Sequence, residues 1–199
     1  MDELSRDYLV DFYTKSLMLH GDRPEALRWS ARGQERRFSA ILDSMPGMDN
    51  TSLLDYGCGK GDLYAFLNSR GVSTRYTGVD ITPALINLAQ SKYPECRFHV
   101  CSPVAEDIEQ NHDNIIACGV FNNNIEGTSR NMLRVMKRLF YHTNKAMAIT
   151  ALSSRIGDKS FELSYVDPDE LLQYVRDEIT PEATLHETDG DIILILRKH

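Results

Sequence analysis

The sequence has no run of apolar residues that approaches the roughly 18 needed for a membrane-spanning helix. Its first residues are polar and charged, where a secretory signal needs an apolar stretch. Basic residues are also few, because 22 Lys and Arg stand against 29 Asp and Glu and the net charge is −7. A surface that neutralises many phosphates is therefore not expected, and neither a nucleic-acid partner nor a membrane partner is favoured. We expect a cytoplasmic protein.

Cysteine is scarce, and the four cysteines form no CxxC pair. Three of them lie in or beside apolar, strand-like segments, where a thiol behaves as a small buried hydrophobic group. His99 and Cys101 would share one face of a strand, but no second pair completes a four-ligand zinc site. We therefore expect reduced thiols and no metal ion.

The sequence does contain an alternation of short apolar strands with helical stretches, which predicts a doubly wound α/β fold with a mostly parallel sheet. The predicted strands cover residues 52–56, 74–80, 97–101, 114–118 and 146–151, and the helices between them cover 62–69, 83–93 and 130–141. A further helix begins at Asp167-Pro168. Asp189-Gly190 lies between two strand-like segments and predicts a C-terminal antiparallel hairpin. The expected sheet has seven strands, one of them reversed.

Residues 1–49 show a different pattern. Apolar residues at helical spacing predict two helices, over 4–19 and 34–45, with a turn at residues 21–24 between them. No repeat, low-complexity segment or linker follows. We interpret residues 1–49 as an N-terminal helical cover that packs on a Rossmann-like core of residues 50–199, within a single domain.

The strongest motif runs from Asp55 to Asp62 (Asp-Tyr-Gly-Cys-Gly-Lys-Gly-Asp), where the first strand ends and a helix begins. Glycines there let the backbone turn tightly and approach a ligand, at the sheet edge where open α/β folds bind ligands. The dinucleotide fingerprint GxGxxG would have its third glycine at Asp62, and a carboxylate in that place disfavours a bound pyrophosphate. A nicotinamide-dependent oxidoreductase remains an alternative.

A second motif ends the next strand in a carboxylate, in the segment Tyr-Thr-Gly-Val-Asp that closes at Asp80. Such a carboxylate can accept hydrogen bonds from both hydroxyls of a ribose. The alternative role for Asp80 is to cap the next helix, but Thr82 is placed to supply that cap. We interpret Asp80 as a ribose ligand.

The combination of Asp55-x-Gly57-x-Gly59-x-Gly61 with Asp80 and a closing antiparallel hairpin resembles the class I S-adenosylmethionine-dependent methyltransferases, over roughly residues 50–199. The resemblance implies S-adenosyl-L-methionine as cofactor and methylation of a small-molecule substrate. By matching position, it implies cofactor contacts from Asp55, Gly57, Cys58, Gly59, Asp80, Ile81, Cys118, Gly119, Val120 and Phe121.

Three further cofactor contacts follow from the same resemblance. Many family members carry an acidic residue for the adenine after the third strand, where this chain has Ser102, with Glu106 or Asp107 as alternatives. Arg37 would bind the cofactor's carboxylate and Trp29 would cover the cofactor. The alternatives are a solvated arginine and a core tryptophan.

Methyl transfer asks little of side chains, because the sulfonium is already activated and most of the rate can come from holding the acceptor in line. A base is needed only where the acceptor carries a proton. The catalytic candidates near the expected pocket are Asn122, Tyr64, His142 and Tyr165, each of which could instead be a packed or capping residue. Cys58 as a nucleophile is disfavoured, because the sequence places no partner base beside it.

The acidic charge and the helical cover favour a small acceptor that is neutral or cationic, bound by a monomer or homodimer. Two other functions stay open. One is a methyltransferase-fold protein that acts on a protein or an RNA, and the other is a non-catalytic subunit that binds S-adenosylmethionine.

Overall fold

The computed structural model describes residues 1–101, 105 and 108–198. In this part of the chain the helices are α1 (Glu3–His20), α2 (Ala31–Ser44), α3 (Asp62–Ser69), α4 (Pro83–Lys92), α5 (Thr128–Tyr141) and α6 (Pro168–Glu178), with a 3₁₀ helix over Pro24–Leu27. The strands are β1 (Thr51–Tyr56), β2 (Thr74–Asp80), β3 (Arg97–Val100), β4 (His112–Ala117), β5 (Thr143–Ser153), β6 (Tyr165–Val166), β7 (Ala183–Thr188) and β8 (Asp191–Arg197).

The strands form one sheet in the order β3-β2-β1-β4-β5-β8-β7, and the short β6 pairs with β5 outside this path. Strands β3, β2, β1, β4 and β5 are parallel, whereas β8 is antiparallel to both β5 and β7. The predicted doubly wound sheet with one reversed strand is confirmed, and β6 is an addition that the sequence did not indicate. The strand order reverses between β1 and β4, which is where open α/β sheets bind ligands.

Side-chain caps begin several helices. The Ser30 side chain accepts a hydrogen bond from the Gly33 N–H at the start of α2, and Asp167 accepts bonds from two N–H groups of α6. At α4 the prediction was wrong in one respect. Thr82 occupies the capping position but makes no side-chain capping bond, and its own N–H donates to the Asp80 carboxylate at 2.8 Å.

The core has two layers, one on each face of the sheet. Helices α5 and α6 pack on one face through buried residues that include Met136, Leu139 and Val175. Helices α2, α3 and α4 pack on the other face, where Ile41 and Leu67 are fully buried. The predicted apolar side of α2 therefore faces the sheet, and the N-terminal segment is part of the core packing. Within the described residues, no helix combines the length and the apolar character that a membrane span requires.

A buried carboxylate ties α2 to the closing hairpin. Asp191 opens β8 with its side chain only 2% exposed, and Arg37 donates to it through Nε at 2.7 Å and through Nη2 at 2.6 Å. The neighbouring Arg36 donates to Asp191 at 3.0 Å and to the exposed Asp189, also at 3.0 Å. A buried charge is stable only when it is paired. These two arginines therefore compensate the cost of burying the Asp191 carboxylate.

The two aspartates of this cluster allow a matched test of burial. Asp191→Asn keeps the side-chain shape but removes the charge that two arginines share, so we expect the free energy of unfolding to fall by about 2 to 4 kcal/mol. Asp189→Asn removes an exposed partner of Arg36, and its effect should stay within about 0.5 kcal/mol. Urea denaturation monitored by circular dichroism measures both. Equal losses in the two variants would show that burial of Asp191 is not the source of the effect.

Candidate functional site

A cavity of about 1120 Å³, part of it open to solvent, lies at the carboxyl ends of β1, β2 and β4. Its lining comes from the sheet edge, from the N-terminal segment and from the region where α5 begins. The sheet edge contributes Asp55, Tyr56, Gly57, Cys58, Gly59, Asp80, Ile81, Thr82, Cys118, Gly119, Val120 and Phe121. The N-terminal segment contributes Leu9, Tyr13, Leu27, Trp29, Gln34 and Phe38, and the region around the start of α5 contributes Asn123, Ile125, Glu126, Thr128 and Asn131.

The loop after β1 requires glycine at two positions. Gly57 has φ +78°, and a Cβ atom there would lie 2.4 Å from the Cγ2 atom of Val120. Gly59 has φ +54°, and a Cβ atom there would lie 2.8 Å from the Cδ1 atom of Leu27. The left-handed backbone and the close neighbours both exclude larger residues. The loop is therefore in direct contact with the loop after β4 and with the N-terminal segment.

Asp80 joins three parts of the site. One carboxylate oxygen accepts the Gly59 N–H at 3.0 Å, and the other accepts the Thr82 N–H at 2.8 Å. These two main-chain donors fix the orientation of the carboxylate in the cavity wall. Burial raises the pKa of Asp80, and the bonds from the two N–H groups oppose that rise.

Asp55 is a second buried carboxylate at the same edge. The Tyr76 hydroxyl on β2 donates to it in a short hydrogen bond. Burial raises the pKa of Asp55 to about 7, the Tyr76 bond opposes the rise, and the charges of Asp80 and Asp62 add to it. Asp55 thus has a charge that is sensitive to pH near neutrality and to any cation that enters the cavity.

The N-terminal segment closes one side of the cavity. Trp29 lies so near Gly119 that a Cβ atom on Gly119 would be 2.5 Å from the Cζ2 atom of the indole. The Arg37 guanidinium lies over the same indole, 4.4 Å from its centroid. Trp29 is therefore part of the cavity wall, held between α2 and the loop after β4.

Asp62, which replaces the third glycine of a dinucleotide motif, is an ion-pair partner. The nearly buried Lys60 ammonium lies 2.7 Å from Asp62 and 3.0 Å from Asp22. Gln34 on α2 also donates to Asp62, at 2.9 Å. These contacts join the glycine loop to both helical parts of the N-terminal segment, a role that sequence reasoning missed for Lys60 and Asp22.

The buried cysteines are unsuited to nucleophilic chemistry. Burial raises the pKa of Cys58 well above its ordinary value and raises the pKa of Cys118 to about 12. All four cysteines of the chain are free of disulfides. Among the described residues, no three or more His, Cys, Asp or Glu side chains are grouped as metal ligands.

The structure brings most of the predicted cofactor residues together and leaves Arg37 apart. Asp55, Gly57, Cys58, Gly59, Asp80, Ile81, Cys118, Gly119, Val120, Phe121 and Trp29 all line the cavity. Ser102 lies outside the described residues, as do its alternatives Glu106 and Asp107. Arg37 is not part of the lining, because the carboxylate of Asp191 holds its guanidinium.

None of the four catalytic candidates lines the cavity. The Tyr64 hydroxyl donates to Glu95 at 2.8 Å, and the Tyr165 hydroxyl accepts a main-chain N–H at 2.9 Å. The Nδ1 atom of His142 lies 3.1 Å from the side-chain oxygen of Asn111, just before β4. The Asn122 carbonyl accepts the N–H of the segment before β6. The Asn122 Oδ1 and His142 Nε2 atoms are buried without a hydrogen-bond partner among the described residues.

Sequence reasoning assigned the asparagines after the fourth strand, which include Asn123, to the substrate side, but it missed Tyr13, Glu126 and Asn131, which line the part of the cavity next to α1 and α5. Tyr13 belongs to the predicted apolar side of the first helix, and the asparagines follow the fourth strand. Nothing in their spacing shows that the two segments meet. The contact is visible only in the structure, where Asn123 Nδ2 donates to the Tyr13 hydroxyl at 2.8 Å.

Comparison with known proteins agrees with this geometry. Residues 53–140 match a family model described as a methyltransferase domain. The chain is 46% identical to trans-aconitate 2-methyltransferase of an Enterobacter species over 68 residues, which are 33% of this chain and 27% of that enzyme. It is 30% identical to malonyl-[acyl-carrier protein] O-methyltransferase of Acetivibrio thermocellus over 114 residues, 54% of this chain and 40% of that enzyme. The chain thus spans less than half the length of these relatives.

The fold is shared more completely than the sequence. Magnesium protoporphyrin IX methyltransferase of Synechocystis, crystallised with bound S-adenosylmethionine, superposes with a TM-score of 0.71 at 13% identity, covering 100% of this chain and 98% of that one. The chain therefore has the fold of this S-adenosylmethionine-binding methyltransferase, and residues 53–140 match the methyltransferase domain model. The resemblance inferred from its motifs is confirmed.

The raised pKa of Asp55 predicts a pH-dependent stability. Between about pH 4 and pH 7 the folded protein keeps a proton on Asp55 that the unfolded chain has lost. The stabilisation of the folded state by this proton is therefore fully present below about pH 4 and is lost as the pH rises to about 7. Asp55→Asn cannot ionise, so its free energy of unfolding should rise relative to wild type across that window and then level off. Urea denaturation at a series of pH values measures the difference.

Asp113→Asn is the matched control for that series. Asp113 lies at the opposite edge of the sheet, where the Ser52 N–H lowers its pKa, so its contribution is constant above about pH 4 and is lost only as the pH falls further. A rise in relative stability that is the same in both variants would contradict the assignment to Asp55.

Proposed function

We propose that this protein is an S-adenosylmethionine-dependent methyltransferase that acts on a small-molecule acceptor. The observation that carries the proposal is the carboxylate of Asp80, which ends β2 in the cavity wall and is oriented there by two main-chain N–H groups. This arrangement suits the two hydroxyls of a ribose. Relatives named as methyltransferases and a solved structure with bound S-adenosylmethionine support the same cofactor.

The residues of the sheet edge fit the cofactor in size and polarity. Asp80 would bind the ribose, Ile81 would lie beside the adenine, and the loop from Gly57 to Gly59 would lie against the methionine portion. The buried carboxylate of Asp55 suits a positively charged neighbour, which would lower its raised pKa. When bound, S-adenosylmethionine supplies a methyl group attached to a positively charged sulfur. An acceptor's lone pair displaces the sulfur from the methyl carbon, which leaves S-adenosylhomocysteine.

The protein's contribution to such a reaction is position and exclusion of water. Holding two reacting atoms in line at about 3 Å supplies much of the rate of a displacement, and an added base is needed only for an acceptor that must lose a proton. Trp29, Leu27 and α1 cover the cavity from the N-terminal side. This cover favours a small molecule over a folded macromolecule as acceptor. The cytoplasmic location and the monomeric or homodimeric state remain predictions from the sequence.

Isothermal titration calorimetry with S-adenosylmethionine and S-adenosylhomocysteine tests the proposal. We expect both to bind, and Asp80→Asn to weaken binding by about 1.5 to 3 kcal/mol, the usual value of a hydrogen bond to a charged group. Asp113→Asn, which alters a carboxylate outside the cavity, should bind like the wild type. Absence of binding by the wild type would overturn the proposal, and full affinity in Asp80→Asn would overturn the ribose assignment.

A further inference from the structure

The charged side chains that line the described part of the cavity all have one sign. They are the carboxylates of Asp55, Asp62, Asp80 and Glu126, and no Lys, Arg or His side chain joins them. Residues 102–104 and 106–107, which the structure does not describe, contain no basic residue either. A polycarboxylate that entered this cavity would lose its water and meet carboxylates in return, which is unfavourable.

The cations nearest the cavity already have partners. Lys60 is paired with Asp62, Arg37 is paired with Asp191, and Arg28 lies 2.5 Å from Glu162. The ammonium group of Met1 reaches the lining and donates to the Asn131 side chain at 3.3 Å.

Glu126 is the carboxylate that the cofactor assignments leave unused. It lies just before α5 in the cavity lining, and its side chain is exposed. Within the described residues it has no ion-pair partner. Its charge is therefore available to a positively charged group on a bound molecule.

Tyr13 supplies a hydrogen-bond donor to the same region. Its hydroxyl oxygen accepts the Nδ2 hydrogen of Asn123 at 2.8 Å, so the hydroxyl's own hydrogen is left to point elsewhere. The described residues offer that hydrogen no acceptor. Burial raises the pKa of Tyr13, which keeps the proton on the phenol. The group is thus an oriented, neutral donor in the cavity wall.

We propose that Tyr13, Asn123 and Glu126 form the acceptor-binding end of the cavity, and that this end takes an uncharged or cationic acceptor and rejects polycarboxylates. The Tyr13 hydroxyl orients the acceptor by donating to one of its oxygen or nitrogen atoms. The inference rests on the proposed function. It separates this chain from the relatives named for trans-aconitate, because a tricarboxylate would need cations that this lining does not present.

A turnover screen tests the charge preference. Release of S-adenosylhomocysteine is measured with S-adenosylmethionine and three groups of small metabolites: polycarboxylates including trans-aconitate, neutral hydroxy and carbonyl compounds, and amines. We expect turnover in the second and third groups only. Turnover of trans-aconitate at a rate equal to or above the best neutral or cationic compound would overturn the inference.

The same screen separates this inference from the proposed function. A wild-type chain that binds no S-adenosylmethionine overturns the proposed function and this inference with it. If the cofactor binds but no group is methylated, the acceptor site as proposed here is refuted, while cofactor binding stands. The screen is repeated with an N-terminally extended chain, which lacks the Met1 ammonium. If the original chain methylated trans-aconitate and the extended chain did not, the Met1 ammonium would be the group that binds this substrate, and the proposal would be contradicted.

Two variants test the residues. Tyr13→Phe should lower kcat/KM at least tenfold for the best acceptor, while the Kd of S-adenosylmethionine changes less than twofold. Glu126→Gln should raise KM about fivefold for amines and leave KM for neutral acceptors unchanged. Tyr8→Phe, on the exposed side of α1, and Glu182→Gln are the matched controls and should behave as wild type.

The thermal unfolding temperature of each variant shows whether it folds. Asn123→Ala is a second variant that removes the hydrogen bond orienting the Tyr13 hydroxyl. An equal loss of cofactor affinity and turnover in Tyr13→Phe would show a structural role and refute acceptor positioning. Unchanged kcat/KM in both Tyr13→Phe and Asn123→Ala would also refute it.

Discussion

The site depends on one buried carboxylate. Asp80 ends β2, and its two oxygens hold the Gly59 N–H of the loop after β1 and the Thr82 N–H at the start of α4. Because both donors are main-chain groups, the carboxylate sets the course of the backbone on two sides of the cavity. The burial that makes this group costly to ionise also makes its bonds strong. The same carboxylate thus shapes the loop and forms part of the cavity wall.

The other half of the cavity comes from the N-terminal segment, which ion pairs hold in place. Asp191 binds α2 through Arg36 and Arg37, Lys60 binds Asp22, and Asp62 accepts a hydrogen bond from Gln34. These contacts consume the cations that lie near the cavity and leave its lining acidic. The stability of the cover and the charge preference of the cavity are therefore linked. A basic side chain that forms an ion pair with the cover is unavailable to a negatively charged acceptor.

Most of the sheet-edge half of the site could be predicted, because parallel strands end at one edge and the residues after them must lie close together. The residues Asp55, Gly57, Asp80 and Phe121, which the family resemblance assigned to the cofactor, all line the cavity. The four catalytic candidates could not be placed by the same reasoning. Tyr64, for example, is near the glycine loop in sequence, but its helical face points toward Glu95 and not toward the cavity.

Strand alternation, turn residues and strand ends are local features, so the fold class, the reversed strand, the glycine loop and the carboxylate that closes β2 can be read from the residues alone. The pairing of Arg37 with Asp191 and the contact between Tyr13 and Asn123 arise only when distant segments pack together. Helical periodicity defines which face of α1 or α2 is apolar, but not the rotation and height at which that face docks. Those two quantities come from packing between distant segments, and they determine which side chains reach the cavity.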